Sequence, residues 1–222
     1  MRTVWLGTLF VLSTLVLSAC NEDTNTTSTA PTTLPTNAPA VGTKIADVVK
    51  STTQPQPDGE YTEIAWEDLE LPGQGMAEVM KKYESVLNST PEGDKNENAL
   101  LEKMQSELNN LPVNPALDGK KIKLPGYVTP LEVNNQDSQL KDFLLVPYFG
   151  ACIHVPPPPL NQTLLVKPLA GKSLPMSEVY NPVWVYGTLK VETATTSLAQ
   201  AGYQIIDAQV MPYEMDTTKP ES

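Results

Sequence analysis

The sequence predicts an α+β protein in which a short helical N-terminal part packs on a small, antiparallel, partly open, five-stranded β-barrel of the OB-like kind. Two observations lead to this fold class. Apolar residues recur with the helical period of about 3.6 before Pro115 and with the strand period of about 2 after it. Five β-rich runs then follow one another without a helical pattern between them.

Two segments carry apolar residues at helical spacing and predict amphipathic helices over about residues 76–110. Methionine is a flexible filler of irregular cores, so the methionines on these faces are expected to pack inside. The apolar positions are Met76, Val79, Met80, Tyr83, Leu87, Leu100, Leu101, Met104 and Leu108.

The barrel is predicted over about residues 119–213 from five runs bounded by turn residues. Pro125, Pro130, Pro147 and Pro168 lie in or beside these runs, and proline cannot donate a hydrogen bond to a sheet. They therefore mark edges, bulges or strand ends. The five runs are KKIKLPGYVTPLEV, DFLLVPYFGACIHV, TLLVKPL, PVWVYGTLKVET and YQIIDAQVMPY.

The first twenty residues have the pattern of a bacterial lipoprotein signal. Arg2 precedes an apolar stretch that is too short to span a bilayer of about 30 Å. The ending LSAC resembles a lipobox, so we expect residues 1–19 to be removed as a signal peptide and Cys20 to be acylated. Asn21, rather than an aspartate, follows the cysteine and favours an outer-membrane destination. The predicted location is therefore the cell envelope, with the chain lipid-anchored and facing the periplasm.

Residues 20–59 form a segment rich in threonine, asparagine and proline, and such a composition cannot bury enough apolar surface to fold. We interpret it as a disordered tether. The stretch TKIADVVKS within it has apolar residues at helical spacing, which we interpret as a transient turn, with one docked turn as the alternative. The domain is predicted over residues 60–215, followed by a flexible tail at 216–222.

The formal net charge is −11, and the sequence has no run of basic residues. A nucleic-acid partner is therefore not expected, because such binding needs clustered lysine and arginine. The acidic balance also disfavours electrostatic docking on anionic lipid. Attachment to the membrane would depend on the acyl chains of Cys20, because two or more chains hold a protein firmly.

The chain's only histidine, His154, lies two residues after Cys152, which is the only cysteine beyond the first twenty residues. Alternate residues of a strand share a face, so an extended run predicts that Cys152 and His154 lie side by side, away from the apolar core. A bulge at Pro147 or Gly150 would break this pattern. The prolines 156–159 then predict a polyproline II rod that ends the strand.

Three interpretations of this pair remain open. The first is structural, with a small buried thiol and an imidazole that is hydrogen-bonded to the backbone. The second is half of a site for Zn²⁺ or copper at Cys152 and His154, with a third ligand from elsewhere, such as Met176, Glu178 or Asp142. The third is a thiol nucleophile activated by the imidazole, for which parallel side chains are a poor geometry.

Little else in the sequence supports an enzyme. It contains no H-E-x-x-H, C-x-x-C or G-x-x-x-x-G-K-[ST] motif. Any mechanism that needs a histidine would depend on His154. We therefore expect a protein without catalytic activity.

The run FLLVPYFGACIHVPPPPLNQ, with GYVTPLE before it and VWVYGTL after it, resembles the bacterial DUF3299 family of unknown function. The resemblance covers roughly residues 61–213 and includes the WEDL motif at 66–69. Leu160 is a small departure, where related sequences often extend the proline run. The resemblance implies an envelope protein that is often encoded near an ABC-transporter permease and ATPase, and in some bacteria in zinc-starvation gene sets.

The resemblance supplies no catalytic residues. It favours the motif positions Cys152, His154, Asn161 and Gln162 as a candidate site. The predicted function is a non-enzymatic, membrane-anchored periplasmic lipoprotein that binds a transition metal, zinc foremost, at Cys152 and His154 or assists an ABC-transporter permease complex.

An alternative from another class is a structural module that docks on another envelope protein without a metal. Its docking surface would be the proline rod together with nearby aromatic and amide side chains. A thiol-redox enzyme is the weaker alternative. The candidate interaction residues are Tyr148, Asn161, Gln162 and Trp184.

Overall fold

The structure is a computed structural model that describes residues 34–36, 38–48, 56–91, 95–134, 136–155 and 157–214. Apart from Leu34, these residues belong to one compact unit, 35–222. The predicted signal peptide, the predicted acylation site Cys20 and the predicted tail lie outside the described residues. None of the helices in the described ranges is long and apolar enough to cross a membrane.

Two α-helices precede the barrel, α1 at Met76–Ser89 and α2 at Lys95–Asn109. They pack chiefly on each other, because their apolar stripes face one another. The stripe is also narrower than predicted, since Met80 and Leu101 are exposed. The helix–helix core consists of Val79, Tyr83, Leu108 and Leu111, with Met76, Leu87, Leu100 and Met104 around it.

Eight strands are present in the described part of the chain, and each of the five long ones overlaps one of the five predicted runs. The strands are β1 Thr62–Glu63, β2 Lys121–Val133, β3 Leu140–Val146, β4 Leu164–Pro168, β5 Val183–Lys190, β6 Ala194–Thr195, β7 Gln200–Ala201 and β8 Tyr203–Pro212.

The five long strands form a closed barrel in the order β2-β3-β4-β8-β5, and β2 pairs with β5 to close it. The long strand β2 pairs with both β5 and β3. Its first half, up to Gly126, pairs with β5, and its second half, from Tyr127, pairs with β3. Gly126 lies at this corner, where a Cβ atom would come within 2.8 Å of the Leu145 side chain.

The α+β class with a small barrel is confirmed, but two details of the expectation are wrong. The barrel is closed rather than partly open, and β4 pairs with β8 in parallel rather than antiparallel. Alternation of apolar residues indicates that a segment is a strand, but it does not indicate the direction of its partner.

The chain before the barrel is fixed to the barrel by a buried tyrosine. The Tyr203 hydroxyl donates to the Leu69 carbonyl oxygen at 2.6 Å and accepts the backbone N–H of Asn114. Tyr203 and Leu69 are both fully buried. A buried hydroxyl needs such partners because an unpaired one costs about 1–3 kcal/mol. This contact holds the segment that begins at Trp66 against the barrel.

Residues 42–48 form a strap that docks on the backbone after β3. The N–H groups of Gly42 and Ile45 donate to the carbonyl oxygens of Phe149 and Pro147, both at 2.8 Å. The Ile45 side chain is only 4% exposed. The interpretation of this stretch as a disordered tether with a transient turn is therefore wrong. The backbone beyond β3 offers free hydrogen-bonding groups, and the strap pairs with them as an added strand would.

Candidate functional site

The segment that carries Cys152 and His154 is a tight turn, not a strand. β3 ends at Val146. The Gly150 carbonyl oxygen accepts the backbone N–H groups of Ile153 at 3.3 Å and of His154 at 2.8 Å. The expectation that Cys152 and His154 lie side by side on one face of an extended strand is therefore wrong.

Two residues in the left-handed region of backbone conformation make this turn. Gly150 has φ 81° and Cys152 has φ 68°. Glycine adopts this region freely, whereas another residue pays about 1–2 kcal/mol for it. The Cys152 N–H donates to the Val155 carbonyl oxygen at 3.0 Å, which helps to hold the turn closed.

The two side chains of the pair have different surroundings. Cys152 is half-buried and His154 is exposed. Burial raises the pKa of the Cys152 thiol to about 11, so the thiol stays protonated at neutral pH. A protonated thiol is a poor nucleophile and must lose its proton before it binds a metal.

The described residues do not assemble a metal site around this pair. No group of three or more histidine, cysteine, aspartate or glutamate side chains in the described ranges is placed to hold a metal ion. Asp142 and Glu178, two of the candidate third ligands, form no such group with Cys152 and His154. The histidine, cysteine, aspartate and glutamate side chains of the described ranges thus do not complete the set of about four ligands that a structural zinc site needs.

Asn161 and Gln162 are buried and tie the chain together. The Asn161 Nδ2 donates to the Pro112 carbonyl oxygen at 3.2 Å, and the Gln162 Nε2 donates to the Trp66 carbonyl oxygen at 2.9 Å. Asn161 is 0% exposed, Gln162 is 5% exposed and Trp184 is 3% exposed, so these three candidate interaction residues have little surface open to solvent. Both amide nitrogens have backbone partners, whereas Asn161 Oδ1 is buried without a hydrogen-bond partner among the described residues.

The proline rod is also partly buried. Pro158 and Pro159 are buried, and their carbonyl oxygens accept the Thr163 hydroxyl at 3.4 and 3.1 Å. Pro156 lies outside the described residues, and Pro157 is exposed. The buried half of the rod positions the turn at Leu160–Gln162 and is not available as the docking surface that the sequence suggested.

A cleft of about 810 Å³ opens between the strap, the segment that precedes α1, and the barrel. Its volume lies in the range of about 300–1,000 Å³ that is typical of small-molecule sites. Three of the four predicted interaction residues, Tyr148, Gln162 and Trp184, line this cleft. The remaining lining residues are Lys44, Ile45, Ala46, Val48, Glu63, Ile64, Ala65, Trp66, Glu67, Asp68, Glu70, Met76, Ala77, Pro125, Pro147 and Tyr213.

The aromatic walls of the cleft are held in fixed positions. The Trp66 Nε1–H donates to the Pro125 carbonyl oxygen at 2.8 Å. The Trp184 ring stacks on the Tyr213 ring with the centroids 5.4 Å apart. The Lys123 ammonium lies 5.1 Å from the Trp184 ring centroid, within cation–π range. The walls are thus preorganised, which lowers the entropic cost of binding.

Four acidic residues are among those that line the cleft. Glu63 forms an ion pair with Lys123 at 3.1 Å, and an Asp68 oxygen accepts the Ala65 N–H at 2.8 Å. Glu67 and Glu70 also line the cleft.

Burial is the main cause that raises the pKa of Glu70. The Met76 N–H, which donates to Glu70 Oε1 at 3.2 Å, opposes this shift, and the charges of Glu78 and Glu67 add to it.

Sequence patterns did not assign Trp66, Glu70, Tyr213 or the strap to a functional site. No local signal could have done so, because these residues come from distant parts of the chain and meet only through the barrel. The WEDL motif at 66–69 belongs to the family resemblance and does not by itself indicate a cleft.

The fold and the cleft define an α+β protein built on a small closed barrel with a side pocket. The chain belongs to the DUF3299 family, described as a protein of unknown function, whose model matches residues 66–212. The expected membership is thus confirmed. The crystal structure at 2.45 Å resolution of a DUF3299 family protein from Pseudomonas aeruginosa PAO1 is similar, with 38% sequence identity and a TM-score of 0.51. The match covers 70% of this chain and 98% of that chain. No curated protein matches.

Proposed function

We propose that this protein is a non-enzymatic binding module of the cell envelope, anchored through an acylated Cys20, that holds a ligand in the cleft beside the strap. The observation that carries the proposal is the cleft itself. It brings Tyr148, Gln162 and Trp184 together with Trp66 in a volume of about 810 Å³. This role corresponds to the interaction-module alternative more closely than to metal binding at Cys152 and His154.

The character of the lining supports binding rather than catalysis. Among the described residues that line the cleft, none is a histidine, cysteine, serine or threonine. The side chains that commonly act as nucleophiles with a histidine base are therefore missing from the described walls. The walls instead provide aromatic rings, prolines and a few polar groups, which is the usual composition of a binding pocket.

The proposed anchor at Cys20 would keep the binding domain at a membrane of the cell envelope. A domain tethered through Cys20 would present its cleft close to the membrane surface. An ABC-transporter permease complex or another envelope protein could there receive the bound ligand. The gene context implied by the family resemblance supports such a partner.

Native mass spectrometry of the full chain, isolated from its own envelope, tests the proposal. We expect a bound small-molecule mass that is lost in Ala77→Trp, which fills the cleft from an exposed position of α1. Ala99→Trp places the same side chain at an exposed position of α2 and should keep the ligand. The double variant Cys152→Ser/His154→Ala should also keep it.

Two results would contradict the proposal. One is a ligand that persists in Ala77→Trp, or no bound mass in the wild-type chain. The other is a bound metal in the wild-type chain that disappears in the Cys152→Ser/His154→Ala variant. The second result would restore the zinc or copper interpretation of the pair.

A further inference from the structure

We propose that the cleft selects a small organic cation, in which an amine or guanidinium group is joined to an apolar body. This inference rests on the proposed function and names the ligand class of the same site. It is carried by the joint presence of fixed aromatic walls and an excess of carboxylates along one cleft.

The charges that line the cleft are unequal. Glu63 is neutralised by Lys123, which lies 3.1 Å away. The lining then contributes the carboxylates of Glu67, Asp68 and Glu70 against one ammonium group, that of Lys44 on the strap. A cation entering the cleft gains from this excess, whereas an anion meets repulsion that the single lysine does not offset.

The apolar part of the lining favours the same class of ligand. Trp66, Tyr148 and Trp184 line the cleft beside Pro125 and Ile64. Aromatic faces attract cations through their quadrupole. The protein already uses this interaction next to the cleft, where the Lys123 ammonium lies over Trp184. A ligand with both an apolar body and a positive end would therefore match the two halves of the site.

Glu70 is the carboxylate that is best placed to receive the positive end. It is half-buried, and its Oε1 is held by the Met76 N–H at 3.2 Å. Its Oε2 lies beside Gly75, where a Cβ atom would come within 1.9 Å of that oxygen. Glycine at position 75 thus leaves the room that the carboxylate occupies. The variant Gly75→Ala would displace Glu70 without changing the charge of the chain.

The size of the cleft favours a small molecule over a peptide segment. A cleft of about 810 Å³ falls within the range of small-ligand pockets. A partner protein that inserted a chain segment would normally bury a larger interface, of about 800 Å² on each side. A peptide is therefore the competing occupant that the experiment must separate from a free amine.

The test compares three probes that share one ring system: tryptamine, neutral 3-propylindole and the anion indole-3-propionate. Each is titrated into the full chain carrying Cys20→Ser, which prevents acylation, and the indole N–H resonances of Trp66 and Trp184 are followed by NMR. We expect tryptamine to bind about tenfold more tightly than either isostere, from one cation–π contact and one ion pair.

Variants connect this preference to the named carboxylates. The double variant Glu67→Gln/Glu70→Gln should lower the affinity for tryptamine about tenfold and leave the affinity for 3-propylindole unchanged. Gly75→Ala should also lower the affinity for tryptamine. Glu84→Gln, an exposed position of α1 outside the cleft, should change neither affinity.

Equal affinity for the three probes, or tighter binding of indole-3-propionate, would overturn the inference while leaving the cleft as a binding site. Tighter binding of a lysine-containing tripeptide than of tryptamine would also overturn it, in favour of a peptide partner. If no probe moves the two indole resonances, both the inference and the proposed function fail.

Discussion

The Gln162 side chain donates its Nε2–H to the Trp66 carbonyl oxygen at 2.9 Å, across 96 positions of the chain. Gln162 ends the unusual proline-containing run, and Trp66 begins the range that matches the family. The same two residues line the cleft. One hydrogen bond therefore links the most distinctive motif of the sequence to the wall of the proposed site.

Replacing Gln162 by leucine should leave the Trp66 carbonyl oxygen buried and without its partner. We expect a loss of about 1–3 kcal/mol in the free energy of unfolding, measured by urea denaturation. Gln136→Leu, at an exposed loop position, is the matched control and should change the stability by less than about 0.5 kcal/mol. Equal effects of the two substitutions would show that the buried amide does not act as a clamp.

The Cys152 thiol should react slowly with iodoacetamide at neutral pH. Its raised pKa of about 11 lowers the thiolate fraction by about two orders of magnitude relative to a free cysteine. The rate should rise steadily up to pH 10, and His154→Ala should not change the profile. An apparent pKa near 7 would mean that the imidazole activates the thiol, and it would revive the redox interpretation.

The strap should detach when its buried side chain is made polar. Ile45→Asp places a charge at a 4% exposed position, so the amides of Gly42 and Ile45 should lose their protection from hydrogen exchange. Ala46→Asp adds the same charge at an exposed neighbouring position and should preserve protection. Exchange that is fast in the wild-type chain would show that the strap does not form this wall of the cleft.

Glu70→Gln should change stability in a pH-dependent way. Because the pKa of Glu70 is raised in the folded state, the folded chain binds this proton more tightly than the unfolded chain. Its contribution is present at low pH and is lost as the pH rises through the folded pKa. Glutamine keeps an acceptor for the Met76 N–H and removes the repulsion from Glu67 and Glu78.

The variant should therefore melt at a higher temperature than the wild-type chain at pH 7 and at a similar temperature near pH 3.5. Glu84→Gln, at an exposed position of α1, serves as the control. A variant that is less stable than the wild-type chain at pH 7 would contradict the role of burial at Glu70.

The helices and the five long strands could be predicted because apolar periodicity is a local property of the chain. β5 and β8 match their predicted runs closely. The strand predicted around β3 is too long at its C-terminal end, because Gly150 and Cys152 turn the backbone after Val146. Pro147 and Gly150 in that run indicate a possible bulge or turn, but sequence spacing does not show which residues its hydrogen bonds will join.

The site was harder to predict than the fold, for a physical reason. The sequence favours the Cys152–His154 pair as a candidate site because these residue types are rare in this chain and chemically reactive. The cleft depends instead on contacts between the strap, Trp66 and Trp184, which are remote in sequence. Burial of Asn161 could not be foreseen either, because the backbone groups that accept its hydrogen bonds come from another segment.

Crystal soaks with small organic probes would test the central claim most directly, because difference density shows where a molecule binds. The account predicts that tryptamine and similar amines collect in the cleft, in contact with Trp66 and Tyr148. Density beside His154 and Cys152, with the cleft left empty, would contradict it.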